Sequence, residues 1–234
     1  MNLIDILILI IFAGFIIFGA YKGFLMSILS LGSLIVSCLA SLLFYPLLSR
    51  SLLGSNLFQT IINYTDGAQR ISDIASVNLP VAQAAPGKIV SLVQEASLPN
   101  SIGNLLQQNL TEQAFADQGL TTMAEYFNQT IGIVVLNVAC FLFLFIIIRA
   151  ALSLAQNGVH FVIRLPMLKQ HDRLLGSCFG AMQAFLFLFI LFLLVPVVLT
   201  LLPFDAVSGA VKSSLLGNFF YESNFVMPFI VSIP

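Results

Sequence analysis

Charge is scarce in this chain and tryptophan is absent. Only 8% of its 234 residues are Asp, Glu, Lys or Arg, against about 25% in an ordinary soluble domain, and 59% are hydrophobic. Such a composition excludes a water-soluble globular protein. The net charge of −1 supplies no basic field, so nucleic-acid binding has nothing to start from. Cysteine is nearly as sparse. Cys38, Cys140 and Cys178 all fall inside long apolar runs, where they read as small packing residues, and they form neither a disulfide framework nor a metal-ligand spacing. No cofactor is implied.

Four long apolar stretches carry no charged residue at all: Ile6–Tyr21, Gly23–Ser49, Tyr126–Ile148 and Leu174–Phe204. A helix rises about 1.5 Å per residue and a bilayer core is about 30 Å thick, so each stretch is long enough to cross, the first once Leu3 and Ile4 are added. Lipid offers no partner to free backbone N–H and C=O groups, so these runs must be helices. The expected fold is an all-α integral membrane protein of four transmembrane helices, with a helical extramembrane loop between spans 2 and 3 and an amphipathic C-terminal tail. Residues 1–48 form one hairpin (spans about 3–21 and 24–48), 49–121 the loop, 122–202 a second hairpin (spans about 126–154 and 174–202) and 203–234 the tail. No basic residue precedes the first apolar run, so span 1 reads as a retained anchor rather than a cleaved signal.

The segment between spans 3 and 4 holds Arg149, Arg164, Lys169 and Arg173 against one acid, Asp172. The positive-inside rule places it in the cytoplasm, together with the span 1–2 turn at Lys22 and Gly23. Both termini and the long loop then face out. Between Arg50 and Glu125, six acids face three bases, and apolar residues recur at helical spacing: Leu57, Phe58, Ile61 and Ile62; Ile71 and Ile74; Ile89, Leu92, Val93 and Ala96; Ile102, Leu105 and Leu106. Pro80, Pro86 and Pro99 punctuate these pieces, which predicts three or four short amphipathic helices that must pack on something to be stable. Thr122-x-x-Glu125 has the spacing of a capping box and predicts one helix from about Thr122 to beyond Leu154. In the tail, Val207, Val211 and Leu215 are spaced for a helix face, Pro203, Gly209 and Gly217 read as breaks, and a run of phenylalanines suggests docking on the outer surface or on the loop helices.

Within the spans, small residues recur every fourth position at Gly19 and Gly23, at Ser33, Ser37 and Ser41, and at Gly176, Gly180 and Ala184. Such faces let helix backbones approach closely, here expected inside the four-helix unit, with a homo-oligomer as the other use. Asp5 reads as a solvated helix-end residue. Asn137 and Gln183 lie at similar depths on spans 3 and 4 and are expected to share an interhelical hydrogen bond. Pro196 should kink span 4 by freeing the carbonyl of Phe192. His160 and His171 read as surface residues of the basic loop. Phosphate-loop, His-Glu-x-x-His and Gly-x-Ser-x-Gly patterns are absent, so no enzyme is expected. Asn-x-Thr triplets at Asn63, Asn109 and Asn128 carry no weight in most bacteria.

Asp5 opening an apolar span, then Gly19, Lys22-Gly23-Phe24 and Ser30-Leu31-Gly32, resembles the start of the bacterial colicin V production family. Asp172-Arg173-Leu174-Leu175-Gly176 with Gly180 resembles the entry to that family's last span. The resemblance covers roughly residues 1–48 and 130–202. Met26 and Ser27 stand where members often carry an Arg and a Glu, and Ala184 where a further glycine is common. The resemblance implies a four-span inner-membrane protein linked to colicin V production or export and to envelope integrity, acting beside lipid, other envelope or secretion proteins, or a second copy. The alternative is a small-solute pore or transporter subunit, suggested by Asn137, Gln183 and Pro196. Asp172 is expected to cap its own helix and Arg173 to reach anionic headgroups. The orientation predicts that a thiol reagent unable to enter the cell labels a cysteine at position 88 and spares one at 169. The reverse pattern contradicts it.

Overall fold

The computed structural model describes residues 2–65, 71, 74–96, 98–159, 172–201, 209–211 and 213–231. His160, His171, Arg164, Lys169, Pro203 and Val207 lie outside the described residues. The described chain is helical: α1 Leu3–Lys22, α2 Phe24–Leu52, α3 Asn56–Tyr64, α4 Ile74–Val77, α5 Pro86–Glu95, α6 Asn100–Thr111, α7 Met123–Val159, α8 Asp172–Phe192, α9 Leu194–Leu201, α10 Leu215–Glu222 and α11 Met227–Val231. Among the described residues, four helices are long and apolar enough to cross a membrane: α1, α2, α7, and α8 with the start of α9.

Local chemistry sets the helix boundaries. Asn2 caps α1 in a reciprocal capping box with Asp5. Gly23 ends it at φ 80°, a conformation that costs glycine little and other residues more, and its N–H returns to the carbonyl of Gly19 at 3.0 Å. At the start of α7 the expected capping box forms, with Glu125 accepting from the Thr122 N–H at 2.8 Å and donating its own N–H to the Thr122 hydroxyl at 3.3 Å. Pro86 opens α5, where its missing N–H has no partner to lose. The fourth span breaks at Leu193, one residue after Phe192, whose carbonyl Pro196 leaves without its helical donor. Pro46 is carried inside α2 without ending it.

The chain divides into two compact units. The first comprises residues 1–45, 141–192 and 206–224. Its centre is the pairing of α1 with α8, where Gly19 lies against the backbone of Gly176 and Gly180, and Gly180 lies against the carbonyl of Phe15. A Cβ at any of the three would overlap main chain rather than a movable side chain. This contact gives the small-residue spacing of both spans an intramolecular use. α10 packs on α1 and α8. There Phe219 and Phe220 stack among Phe185, Phe189 and Phe192, the Phe189–Phe220 centroids being 4.9 Å apart. Gly217 is a correction to the sequence reading: it does not break the tail but sits in the first turn of α10, close against Ile4, where a Cβ would stand 3.0 Å from the Ile4 side chain. Cys178 is a second correction, since it is exposed on α8, whereas Cys38 and Cys140 are buried.

The second unit comprises residues 46–140, 193–205 and 225–234. Here the short loop helices bury a common core of Ile71, Val81, Ile89, Leu92, Val93, Ala96, Leu106, Leu110 and Phe115 over Met123, Tyr126 and Phe127 at the start of α7. Truncating one such fully buried leucine to alanine typically costs about 2–5 kcal/mol, more than helices this short contribute alone. Two main-chain bonds, Val81 N–H to the Thr121 carbonyl and Met123 N–H to the Leu79 carbonyl, pin residues 79–81 across the entry to α7. Asn109 donates to the Thr130 hydroxyl at 3.0 Å, tying α6 to α7, and α11 packs on α6.

Gly176→Ala should force α1 and α8 apart and cost about 1–3 kcal/mol. Gly14→Ala, on the open face of α1, meets nothing within 4 Å and should be neutral or slightly stabilising. Thermal melting in detergent checks this, and equal behaviour of the two variants would contradict the close contact.

Candidate functional site

The polar residues singled out in the sequence gather at two places in the first unit and one in the second. At the α1–α2 turn, the carboxylate of Asp172 lies against Gly23 and accepts the N–H of Phe24 at 2.7 Å. Phe24 opens α2, so its N–H is one of the four that a helix start leaves without an internal partner. Asp172 therefore caps α2. This corrects the expectation that it caps its own helix, and the reason is geometric: α8 already begins at Asp172, and the glycine contact of α1 with α8 carries that first turn to the start of α2. A side chain at Gly23 would occupy the space of the carboxylate, so the glycine is required twice, for its φ and for its missing Cβ. Phe24 and Phe179 stack beside the cap, centroids 5.4 Å apart. Lys22 ends α1 with its ammonium 4.3 Å from the centre of the Phe18 ring, and Arg173 is exposed.

At the opposite end of α1, Asp5 is only 5% exposed, which corrects its reading as a solvated end residue. It accepts three bonds, from the Asn2 N–H at 2.9 Å, the Ser214 hydroxyl at 2.6 Å and the Leu216 N–H at 3.0 Å. The Asn2 amide donates to the Ala210 carbonyl at 2.8 Å and to the Ser213 hydroxyl. Span 1 thus begins in a knot with the tail. Charged acceptors make the stronger hydrogen bonds, and three donors converge on one carboxylate. The spacing Asn2-x-x-Asp5 was a legible sign of the cap. The tail's share in it had no local signal.

In the second unit, buried Asn137 accepts from the Ser49 hydroxyl and donates to the Ile230 carbonyl at 3.2 Å. The expected Asn137–Gln183 bond is corrected by these partners, which belong to α2 and α11. Gln183 is half-buried on α8.

Sequence reasoning placed Arg149 in the basic loop. It lies instead within α7, ten residues before its end, half-buried, with its guanidinium on the hydroxyls of Ser33 and Ser30 of α2. The helix expected to run past Leu154 already contained this position. Ser27 donates to the Gly19 carbonyl at 3.1 Å. Ser37 and Ser41 each donate to the carbonyl one turn back. Among the described residues, no three His, Cys, Asp or Glu side chains come together as metal ligands would.

Four apolar spans whose polar groups bind helix ends and neighbouring segments define a multi-pass helical membrane protein. A family model described as colicin V production protein matches residues 4–79 and 114–224, and the chain belongs to that family. No curated protein and no solved structure gives a match. Residues 80–113, which hold α5 and α6, fall between the matched stretches, and α11, which packs on α6, falls beyond them.

Asp172→Ala should lower stability by about 0.5–2 kcal/mol, through the lost cap of α2, and Asp172→Asn by less, since its amide oxygen still accepts. Melting in detergent that is unchanged by the alanine variant contradicts the assignment.

Proposed function

We propose that this chain is a non-enzymatic scaffold or accessory protein of the bacterial inner membrane, acting in colicin V production or export and in the integrity of the envelope. The family match supports the connection to colicin V production. The observation that carries the scaffold reading is the use made of the polar residues of the spans: Asp5, Asp172 and Asn137 each hold a helix end or a neighbouring segment in place. A transporter needs such groups free to meet a solute. The small-solute pore draws less support, because the Asn137 amide is already engaged on both sides.

In this reading the chain between α7 and α8 faces the cytoplasm, and both termini and the 49–121 loop face out. The loop helices offer exposed polar positions such as Gln94 on α5 and Gln107 on α6, over a core that holds them rigid. Because α5, α6 and α11 lie outside the matched family stretches, this patch is where the chain would recognise a partner of its own. A second copy is one such partner.

Photo-crosslinkers at positions 94 and 107, activated in native membranes, should give discrete protein adducts. Adducts with lipid alone contradict a scaffold.

A further inference from the structure

Arg149 is the one charged side chain of the described residues that lies inside a span away from a helix end, and it bonds only to neutral side chains. Its guanidinium donates to Ser33 and Ser30, and no carboxylate of the described residues pairs with it. Residues 160–171, which follow α7, contain no acid in the sequence. The acid at that end of the spans, Asp172, is bonded to the Phe24 N–H. Lys22, the last residue of α1 and two residues before α2, adds a second positive charge at that end of the spans. A cation held in lipid without a counter-charge is costly, and residues so placed usually meet an ion or substrate.

The hydrogen-bonding capacity also remains partly unspent. A guanidinium has five N–H donors, of which the serines take two bonds. Ser33 donates its own hydroxyl proton to the Ser30 carbonyl at 2.9 Å. Buried Ser30 accepts from Arg149, and among the described residues its hydroxyl donates to nothing. Planar N–H groups beside a free O–H suit the oxygens of a phosphate.

Depth and flanks identify where such a phosphate comes from. Ser30 and Ser33 lie six and nine residues into α2, or about 9 and 14 Å from its start, which is headgroup to upper-acyl depth for a span beginning at the interface. One turn deeper on each helix, Val36 and Ile146 are 52% and 64% exposed. The stripe is polar at the top and greasy below, as a phospholipid is.

We propose that Arg149, with Ser30 and Ser33 and with Lys22 above them, seats the phosphate of an anionic phospholipid whose acyl chains lie along Val36 and Ile146. This goes beyond the scaffold reading and does not depend on it, since a lipid seat needs no protein partner.

The full chain, purified in detergent, is titrated with phosphatidylglycerol, with phosphatidylcholine and with inorganic phosphate, following thermal melting and lipid retained in native mass spectrometry. Phosphatidylglycerol should raise the melting temperature in a saturable way, well beyond phosphatidylcholine. Arg149→Gln should weaken that response by about tenfold or more, and Ser30→Ala by a fewfold. Where Arg149→Gln does not fold, Arg149→Lys replaces it: it keeps the charge, loses the fork and should still weaken retention measurably. Equal responses to the two lipids, or an unchanged response in both Ser30→Ala and the Arg149 variant, overturn the proposal. Stabilisation by inorganic phosphate with no effect of phosphatidylglycerol overturns the lipid assignment.

Discussion

Backbone contact between α1 and α8 is the constraint on which the first unit depends. Lipid tails are as apolar as leucine, so two spans gain little from hiding apolar side chains from it. What holds them is main chain lying on main chain over Gly19, Gly176 and Gly180, where no side chain intervenes. That approach has a consequence at the turn. It brings Asp172 within 2.7 Å of the Phe24 N–H, so the first residue of one span closes the first turn of another. Glycine at 23 then serves the chain reversal and leaves room for the carboxylate.

The same economy governs the other polar residues. Orphan donors at a helix start need partners, and in a chain with so few charges Asp5, Glu125 and Asp172 are each placed at such a start. Asp5 closes the first turn of α1 and holds the tail at Ser214 and Leu216, and Glu125 closes the first turn of α7. In the second unit, an apolar core over the start of α7 does for the loop helices what glycine contact does for the spans. Arg149 departs from this pattern, which is why it stands out as a place for an outside ligand.

Much of this was legible in the sequence because it is written in local spacing. Charge-free length marked the four spans, Thr122-x-x-Glu125 marked the start of α7, the apolar repeats marked α3, α5 and α6, and Pro196 marked the break at Leu193. The glycine spacing announced close packing. What spacing does not carry is the identity of the partner. Asp172 was assigned to its own helix, Asn137 to Gln183 and Asp5 to water, because each true partner lies far along the chain: Phe24, Ser49 with Ile230, and Ser214 with Leu216. Gly217 misled for a related reason, since a glycine chosen for close contact with Ile4 looks the same in sequence as one that ends a helix.

The dependence of the α2 cap on the glycine contact is tested most directly by a double-substitution cycle of Gly180→Leu and Asp172→Ala, measured by unfolding in detergent. If the close approach of α1 and α8 is what carries Asp172 to Phe24, removing the carboxylate after the helices have been pushed apart costs little. The two losses then fall short of additive by about 0.5 kcal/mol or more. Losses that add within about 0.3 kcal/mol would show that the cap forms without the contact and would contradict the account.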